Sequence, residues 1–334
     1  MAQNEYIPLE LYRPIIETIS DQNTLLSLLF ASRHLSTEAE RILYHNLEWG
    51  DSDVVSQTLF LRTVIDCPRV ARLVWRYHFV SYSLLIIDDD PYWTLLPVAL
   101  RALVNLKELG FGRLGRVPTA LAHVLRGCTF QLVSLIWECY NDENELSVFL
   151  TGQEALEQLR VNWRGECAGP PASALQNLSC LAEWSGTIRT FLPGRTITRL
   201  RWFPSFNDSH PDFIASISSA LRNLHVLALY GPDIILSLST IVDYLPNLPF
   251  LELVGHRKTD LLSIHRLPHS LFPCQSRRSN VKTLSLGCTP RADPFFSSRS
   301  KSIAAIFRVG INVGIATLWN PFKVLEFNNG GLSG

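Results

Sequence analysis

Three groups of residues have types and spacings from which chemistry is built. Gly110-Phe-Gly112-Arg-Leu-Gly115 fits G-x-G-x-x-G, the turn whose glycines let a backbone approach a pyrophosphate at a helix N-terminus. It follows a strand-like stretch and precedes a helical one. The acid that would hold a ribose roughly twenty residues on can only be Glu138, which sits inside the next strand-like stretch, so turn chemistry at a strand end accounts for the glycines. His256, His265, His269 and Cys274 are metal-ligand types, but their spacing matches no zinc pattern, and they read as loop residues. Asp88, Asp89, Asp90, Asp142, Glu143 and Glu145 form acidic runs of loop character. With no G-x-S-x-G elbow, H-E-x-x-H or P-loop, no nucleophile–base pair can be named. The expectation is a chain that is not an enzyme and uses neither cofactor nor metal.

Composition narrows the class. Of 334 residues, 47% are hydrophobic and 18% charged, which excludes a disordered chain. The formal net charge is zero, removing any global electrostatic case for nucleic acid or an anionic membrane. No run of about eighteen apolar residues is present, and Val80 to Ile87 stops at three aspartates. The start of the chain lacks a basic region followed by an apolar one, so no secretory leader is expected. Seven cysteines without a C-x-x-C pair fit reduced thiols. A cytoplasmic or nuclear protein is expected.

The elements begin with three short helices over residues 1–48. Leu9, Leu11, Ile15, Ile16 and Ile19 recur at helical spacing, with Pro8 setting the turn before them. Pro14 is expected early enough in the first helix for its missing N–H to be an orphan. Leu25, Leu26, Leu28, Leu29 and Phe30 make a second helix apolar nearly all round, which implies contacts on two sides. Thr37 and Glu40 read as a capping box opening a third helix with Ala39, Ile42, Leu43 and Tyr44.

Ile7-Pro8-Leu9-Glu10-Leu11, Ile15-Ile16, Asp21, the block Leu25 to Phe30, Ala31-Ser32-Arg33 and Ile42-Leu43-Tyr44 stand in an order that resembles an F-box, over about residues 6–48. The resemblance implies docking to the Skp adaptor of a Skp–cullin–F-box ubiquitin ligase. The adaptor-binding residues it implies are Pro8, Leu9, Leu11, Ile15, Ile16, Leu25, Leu28, Leu29, Leu43 and Tyr44.

Residues 49–66 read as a connecting helix or linker, and from 67 to 330 a unit recurs: a helical stretch, a turn, then a strand of form apolar-x-x-Leu-x-apolar. The strands centre on Leu73, Leu109, Leu135, Leu159, Leu181, Leu200, Leu227, Leu251, Leu284 and Leu325. Successive centres mostly lie about 19–27 residues apart. A stricter form recurs at Asn105–Phe111, Asn223–Leu229, Asn247–Leu253 and Asn280–Leu286. Helical periodicity fills 91–104, 117–126, 143–150, 210–222, 234–245 and 302–319. The array resembles the irregular leucine-rich repeats that follow an F-box in fungal proteins. The expected fold is a three-helix F-box followed by a curved α/β solenoid with a parallel sheet on its concave face.

In such strands the free positions face outward. Arg72, Glu108, Trp163, Arg199, Arg201, Glu252 and Lys282, with Tyr140 and His256 at strand ends, are the outward candidates. Arg72, Trp163, Arg199 and Arg201 are of the types that anchor protein interfaces and are the candidate substrate-binding residues. Between Arg257 and Arg308 ten lysines and arginines face only Asp260 and Asp293, which reads as a solvated basic loop. The apolar run from Val309 to Ala316 and the end at Gly334 show no polar capping repeat. The expected role is a ligase substrate receptor that binds a protein target through its repeats. The alternative is a leucine-rich-repeat interaction scaffold unconnected with ubiquitination.

Overall fold

A computed structural model describes residues 8–49, 54–80, 91–112, 121–139, 143–204, 211–230, 244–245, 248–255, 283–288, 306–310, 315–320 and 323–328. The chain divides into two compact units, Met1–Phe149 and Leu150–Gly334.

The first unit opens with α1 (Leu9–Glu17), α2 (Gln22–Ala31) and α3 (Arg33–His45). Tyr12, Ile16 and Ile19 of α1, with the turn after it, meet Leu25, Leu28 and Leu29 of α2 and Leu35, Ala39, Ile42 and Leu43 of α3 in a small shared core. These spacings of three and four residues put one stripe of each helix inward. Asp21 caps α2 by accepting from the Thr24 N–H at 2.8 Å, and the Thr24 hydroxyl also donates to it at 2.6 Å. Two expectations change here. The cap of α3 is Ser32, whose hydroxyl accepts from the Leu35 N–H, while Thr37 lies within the helix and donates back to the Arg33 carbonyl. Pro14 is the sixth residue of α1, past the orphan donors, so it removes a ladder bond to the Glu10 carbonyl.

β1 (Asn46–Trp49), α4 (Val54–Asp66), α5 (Pro68–Ala71), β2 (Arg76–Val80), α6 (Pro91–Ala102), β3 (Glu108–Gly112) and β4 (Ser134–Trp137) complete this unit. Strands β1 to β4 pair parallel in chain order. Leu47, Tyr77, Leu109 and Leu135 share one register row, and Trp49, Phe79, Phe111 and Trp137 share another. Tyr77, Phe79, Leu109, Phe111, Leu135 and Trp137 are fully buried, with Tyr77 meeting Phe60 of α4 and Tyr92 of α6, and Phe79 meeting Tyr92. The expected strand at Leu73 is displaced: Pro68 starts a helical turn, and the Leu73 N–H donates to the Val70 carbonyl, so the strand begins only at Arg76. The expected helix at 117–126 is a 3-10 turn at Ala122–Leu125 where described.

α7 (Glu143–Thr151) crosses the division. The second unit contains β5 (Gln158–Val161), β6 (Cys180–Trp184), α8 (Ser185–Phe191), β7 (Arg199–Phe203), α9 (Pro211–Leu221), β8 (Val226–Tyr230), β9 (Phe250–Gly255) and β10 (Thr283–Cys288). Strands β5 to β10 also pair parallel in chain order, as an open α/β sheet. Leu159, Leu181, Leu200, Leu227, Leu251 and Leu284 lie in a single row across these six strands. The helix expected over 302–319 is replaced by β11 (Ile306–Gly310) and β12 (Ile315–Asn320), which with β13 (Lys323–Asn328) form antiparallel pairs. The β-branched residues Ile306, Val309, Ile315 and Thr317 favour strand over helix there. Of the stretch 234–245, only Tyr244 and Leu245 lie within the described residues.

Arg195, between β6 and β7, ties its own segment to the one between β5 and β6. Its guanidinium is buried and donates to the carbonyls of Pro170, Pro171, Ala174, Thr190 and Phe191, with the Phe191 ring beneath it. Burial pushes its pKa down. Lysine has a point charge and no fork to reproduce this set. Arg195→Lys is expected to cost about 2 kcal/mol, read as an earlier unfolding transition in calorimetry of the full chain.

Gly110 lies inside β3 opposite His78 of β2, and a Cβ there would stand 2.8 Å from the imidazole Cδ2. The glycine therefore answers to a neighbouring ring, not to a turn as expected from the motif. Gly110→Ala should destabilise the protein by about 1–3 kcal/mol, and His78→Ala should recover most of that loss. Thermal unfolding of the two single variants and the double variant checks the coupling.

Candidate functional site

On the N-terminal helices the inward stripes leave a second set of apolar side chains outside. Leu11 and Ile15 of α1 are 48% and 47% exposed, and Pro8 is exposed at the start of the same helix. Leu26 and Phe30 of α2 are 42% and 89% exposed. Each pair is spaced by one helical turn, so each helix carries an inner and an outer apolar edge. Ile16 and Leu25 do not present themselves to a partner as expected: both are buried in the three-helix core. Leu28, Leu29 and Leu43 are half-buried against that core. Tyr44 is half-buried with its ring stacked on Phe60 at 6.5 Å. The Leu9 side chain lies outside the described ones. Leu26 and Phe30 are the residues that the resemblance did not single out. Their signal was the all-round apolarity of α2, which an inward stripe alone does not use.

Ion pairs fix these helices. Arg41 of α3 reaches Glu17 of α1 at 2.7 Å and Glu38 at 2.9 Å, and Arg13 joins Glu17 at 3.2 Å. The Arg41 guanidinium is the main cause holding the Glu17 carboxyl below its usual range. Arg69 of α5 forms a bidentate pair with Glu40 of α3, tying the module to the segment that follows it.

The outward face of the first unit's sheet carries Arg76, His78, Glu108 and Gly110 in adjacent strands. Arg76 pairs with Glu48 at 3.0 Å and Glu108 at 2.6 Å, so its positive charge is already matched by carboxylates. Arg72 is exposed but caps α5, away from any strand, because of the displaced β2. It does not belong to this face as expected.

The second unit's face is different. Arg199 and Arg201 on β7 are exposed, as expected, and neither has an ion-pair partner among the described residues. Trp163 overturns the expectation of an outward ring. β5 ends at Val161, the Trp163 N–H donates to the Thr187 hydroxyl at 3.1 Å, and its ring, 1% exposed, packs edge-on against Phe191 at 5.1 Å. Its place is taken by three rings from adjacent strands. Trp184, Phe203 and Tyr230 follow one another at 5.8 and 4.9 Å between centroids, with Trp184 half exposed. A depression of about 620 Å³ lies beside them, lined among others by Arg199, Arg201, Ala228, Phe250 and Glu252. Arg160 lies in the same row but is matched by Glu183 at 2.7 Å.

Tyr140, His256, Lys282 and the His265–His269–Cys274 group lie outside the described residues. Among the described residues no three His, Cys, Asp or Glu side chains gather as metal ligands, and no helix is long and apolar enough to cross a membrane. No protein-family model matches the chain, and no curated protein matches it at a significant level.

Burial holds the imidazoles of His45 and His78 below their ordinary pKa, with the Arg41 and Arg76 charges adding to the respective shifts. The unfolded chain therefore binds protons more readily than the folded one below about pH 6.5. Stability contributed by these groups is complete above that value and falls as pH drops towards their lowered folded pKa values. Unfolding temperatures measured from pH 7.5 down to 5 should decline, and His78→Gln should flatten part of that slope.

Proposed function

We propose that the chain is the substrate receptor of a Skp–cullin–F-box ubiquitin ligase, with α1 to α3 as its F-box and its repeated strands as irregular leucine-rich repeats. The observation that carries this reading is the two outer apolar edges, Leu11 with Ile15 on α1 and Leu26 with Phe30 on α2, on helices that already have a core of their own. A helical cap needs only the inward stripe. Four large apolar side chains left in water favour a protein partner. The repeat reading draws on the in-register leucines. It also draws on Asn105 and Asn177, whose side-chain amides donate to the carbonyls of Arg72 and Glu154 in the preceding turns. The role of the chain is positional: one end holds the adaptor, the sheet face holds a target, and transfer of ubiquitin gains from raised local concentration.

Co-expression with a Skp adaptor and size-exclusion chromatography tests this directly. The wild-type chain should co-elute at one-to-one stoichiometry. Leu26→Asp with Phe30→Asp should lose the complex while keeping the far-ultraviolet spectrum, since both side chains are already exposed. Leu11→Asp with Ile15→Asp should weaken it by about tenfold or more. A folded wild-type chain that never co-elutes would sink the ligase reading and leave the interaction scaffold in its place.

A further inference from the structure

The outward face of the second unit is ordered in rows. One row reads Arg160, Ala182, Arg201, Ala228 and Glu252 across five paired strands. The row before it along the strands includes Cys180, Arg199, Val226 and Phe250. Beyond it stand Trp184, Phe203 and Tyr230. Alanines between long side chains leave room, and the space over Ala228 is the depression described above. Arg201 and Glu252 flank it two strands apart, about 9–10 Å between backbones, and no ion pair joins them.

Charge decides what this space fits. Arg160 is neutralised by Glu183, which leaves Arg199 and Arg201 on β7 with Glu157 and Glu252 at the two edges of the depression. Two cations and two anions do not make the cationic track that a nucleic acid backbone requires. The nearby carboxylates also favour a singly charged acid over a phosphate dianion. The ring row beside the arginines offers an apolar platform at which aromatic side chains stack favourably.

We propose that this face seats an extended acidic segment of a partner protein, with an Asp or Glu carboxylate against Arg199 and Arg201 and an aromatic side chain on the Trp184–Phe203–Tyr230 row. This rests on the reading of the sheet face as the target-holding surface and is independent of the adaptor.

Selection from a randomised displayed-peptide library on the full chain tests it. Recovered peptides should be enriched in Asp or Glu within a few positions of an aromatic residue. A labelled peptide from that set should lose about tenfold in affinity on Arg199→Glu with Arg201→Glu, less on the glutamine pair, and should weaken on Trp184→Ala. Repeating the selection on the charge-reversed variant should enrich Lys and Arg instead. The proposal falls if no acidic peptide is recovered or if charge reversal leaves binding unchanged. It also falls if a single-stranded RNA decamer displaces the peptide more strongly than unlabelled peptide does, or if phosphoserine in place of the acid binds markedly tighter. Adaptor co-elution on the same preparation separates the two readings. A chain that takes the adaptor but selects no acidic peptide overturns only this proposal, and the reverse pattern overturns only the ligase reading.

Discussion

A carbonyl oxygen has two lone pairs, and this chain uses both at the points where one strand sets the start of the next. The Trp75 carbonyl accepts from the N–H groups of Lys107 and Glu108, and that of Lys107 accepts from Val133 and Ser134. In the second unit Glu157 serves Ser179 and Cys180, Ser179 serves Thr198 and Arg199, and Thr198 serves His225 and Val226. Each of these five strands, β3, β4, β6, β7 and β8, consequently begins at the level of its neighbour whatever the length of the segment between them. A slip by one residue would turn every leucine of a strand to water. The shared carbonyl and the buried leucine row thus enforce the same register, one through the backbone and one through the hydrophobic effect.

That constraint uses up the inward positions and leaves the outward ones free. Burying a leucine is worth about 1.5–3 kcal/mol, so Leu159, Leu181, Leu200, Leu227 and Leu251 have little latitude. Outward positions carry Arg, Ala, Cys, Val and Glu without disturbing the ladder. The two units use the freedom differently. In the first, Arg76 is matched by the carboxylates of Glu48 and Glu108. In the second, Arg199 and Arg201 have no such partner among the described residues.

Strand centres from Leu109 to Leu251 were legible because a buried leucine at a fixed place is a local pattern. Leu73 was not, since Pro68 and the turn after it override the same pattern through backbone bonds. Asn177 shows the opposite case. Its strand carries Glu183 where the strict pattern wants an apolar residue, yet its amide reaches back as Asn105 does. Site residues were harder. Which side of α1 or α2 faces the core depends on where α3 lies, so Ile16 and Leu25 could not be told from Leu11 and Leu26 by spacing alone. The ring row could not be read either, because Trp184, Phe203 and Tyr230 meet only through pairing between strands.

Glu183 is where the requirements of fold and face conflict. Its φ is 142°, a backbone conformation that side chains other than glycine rarely adopt and that costs about 1–3 kcal/mol. By register it stands beside Trp202, whose ring is buried, yet its carboxylate pairs with Arg160. A buried carboxylate without that guanidinium would be far more costly than the strain. The pair therefore has an effect beyond its own site. It removes one cation from a row that would otherwise hold Arg160 and Arg201 together, and leaves the positive charge concentrated on β7. Strain at a single residue thereby helps to place the charge of the open face beside the ring row, where one acidic side chain and one aromatic side chain of the same segment reach both.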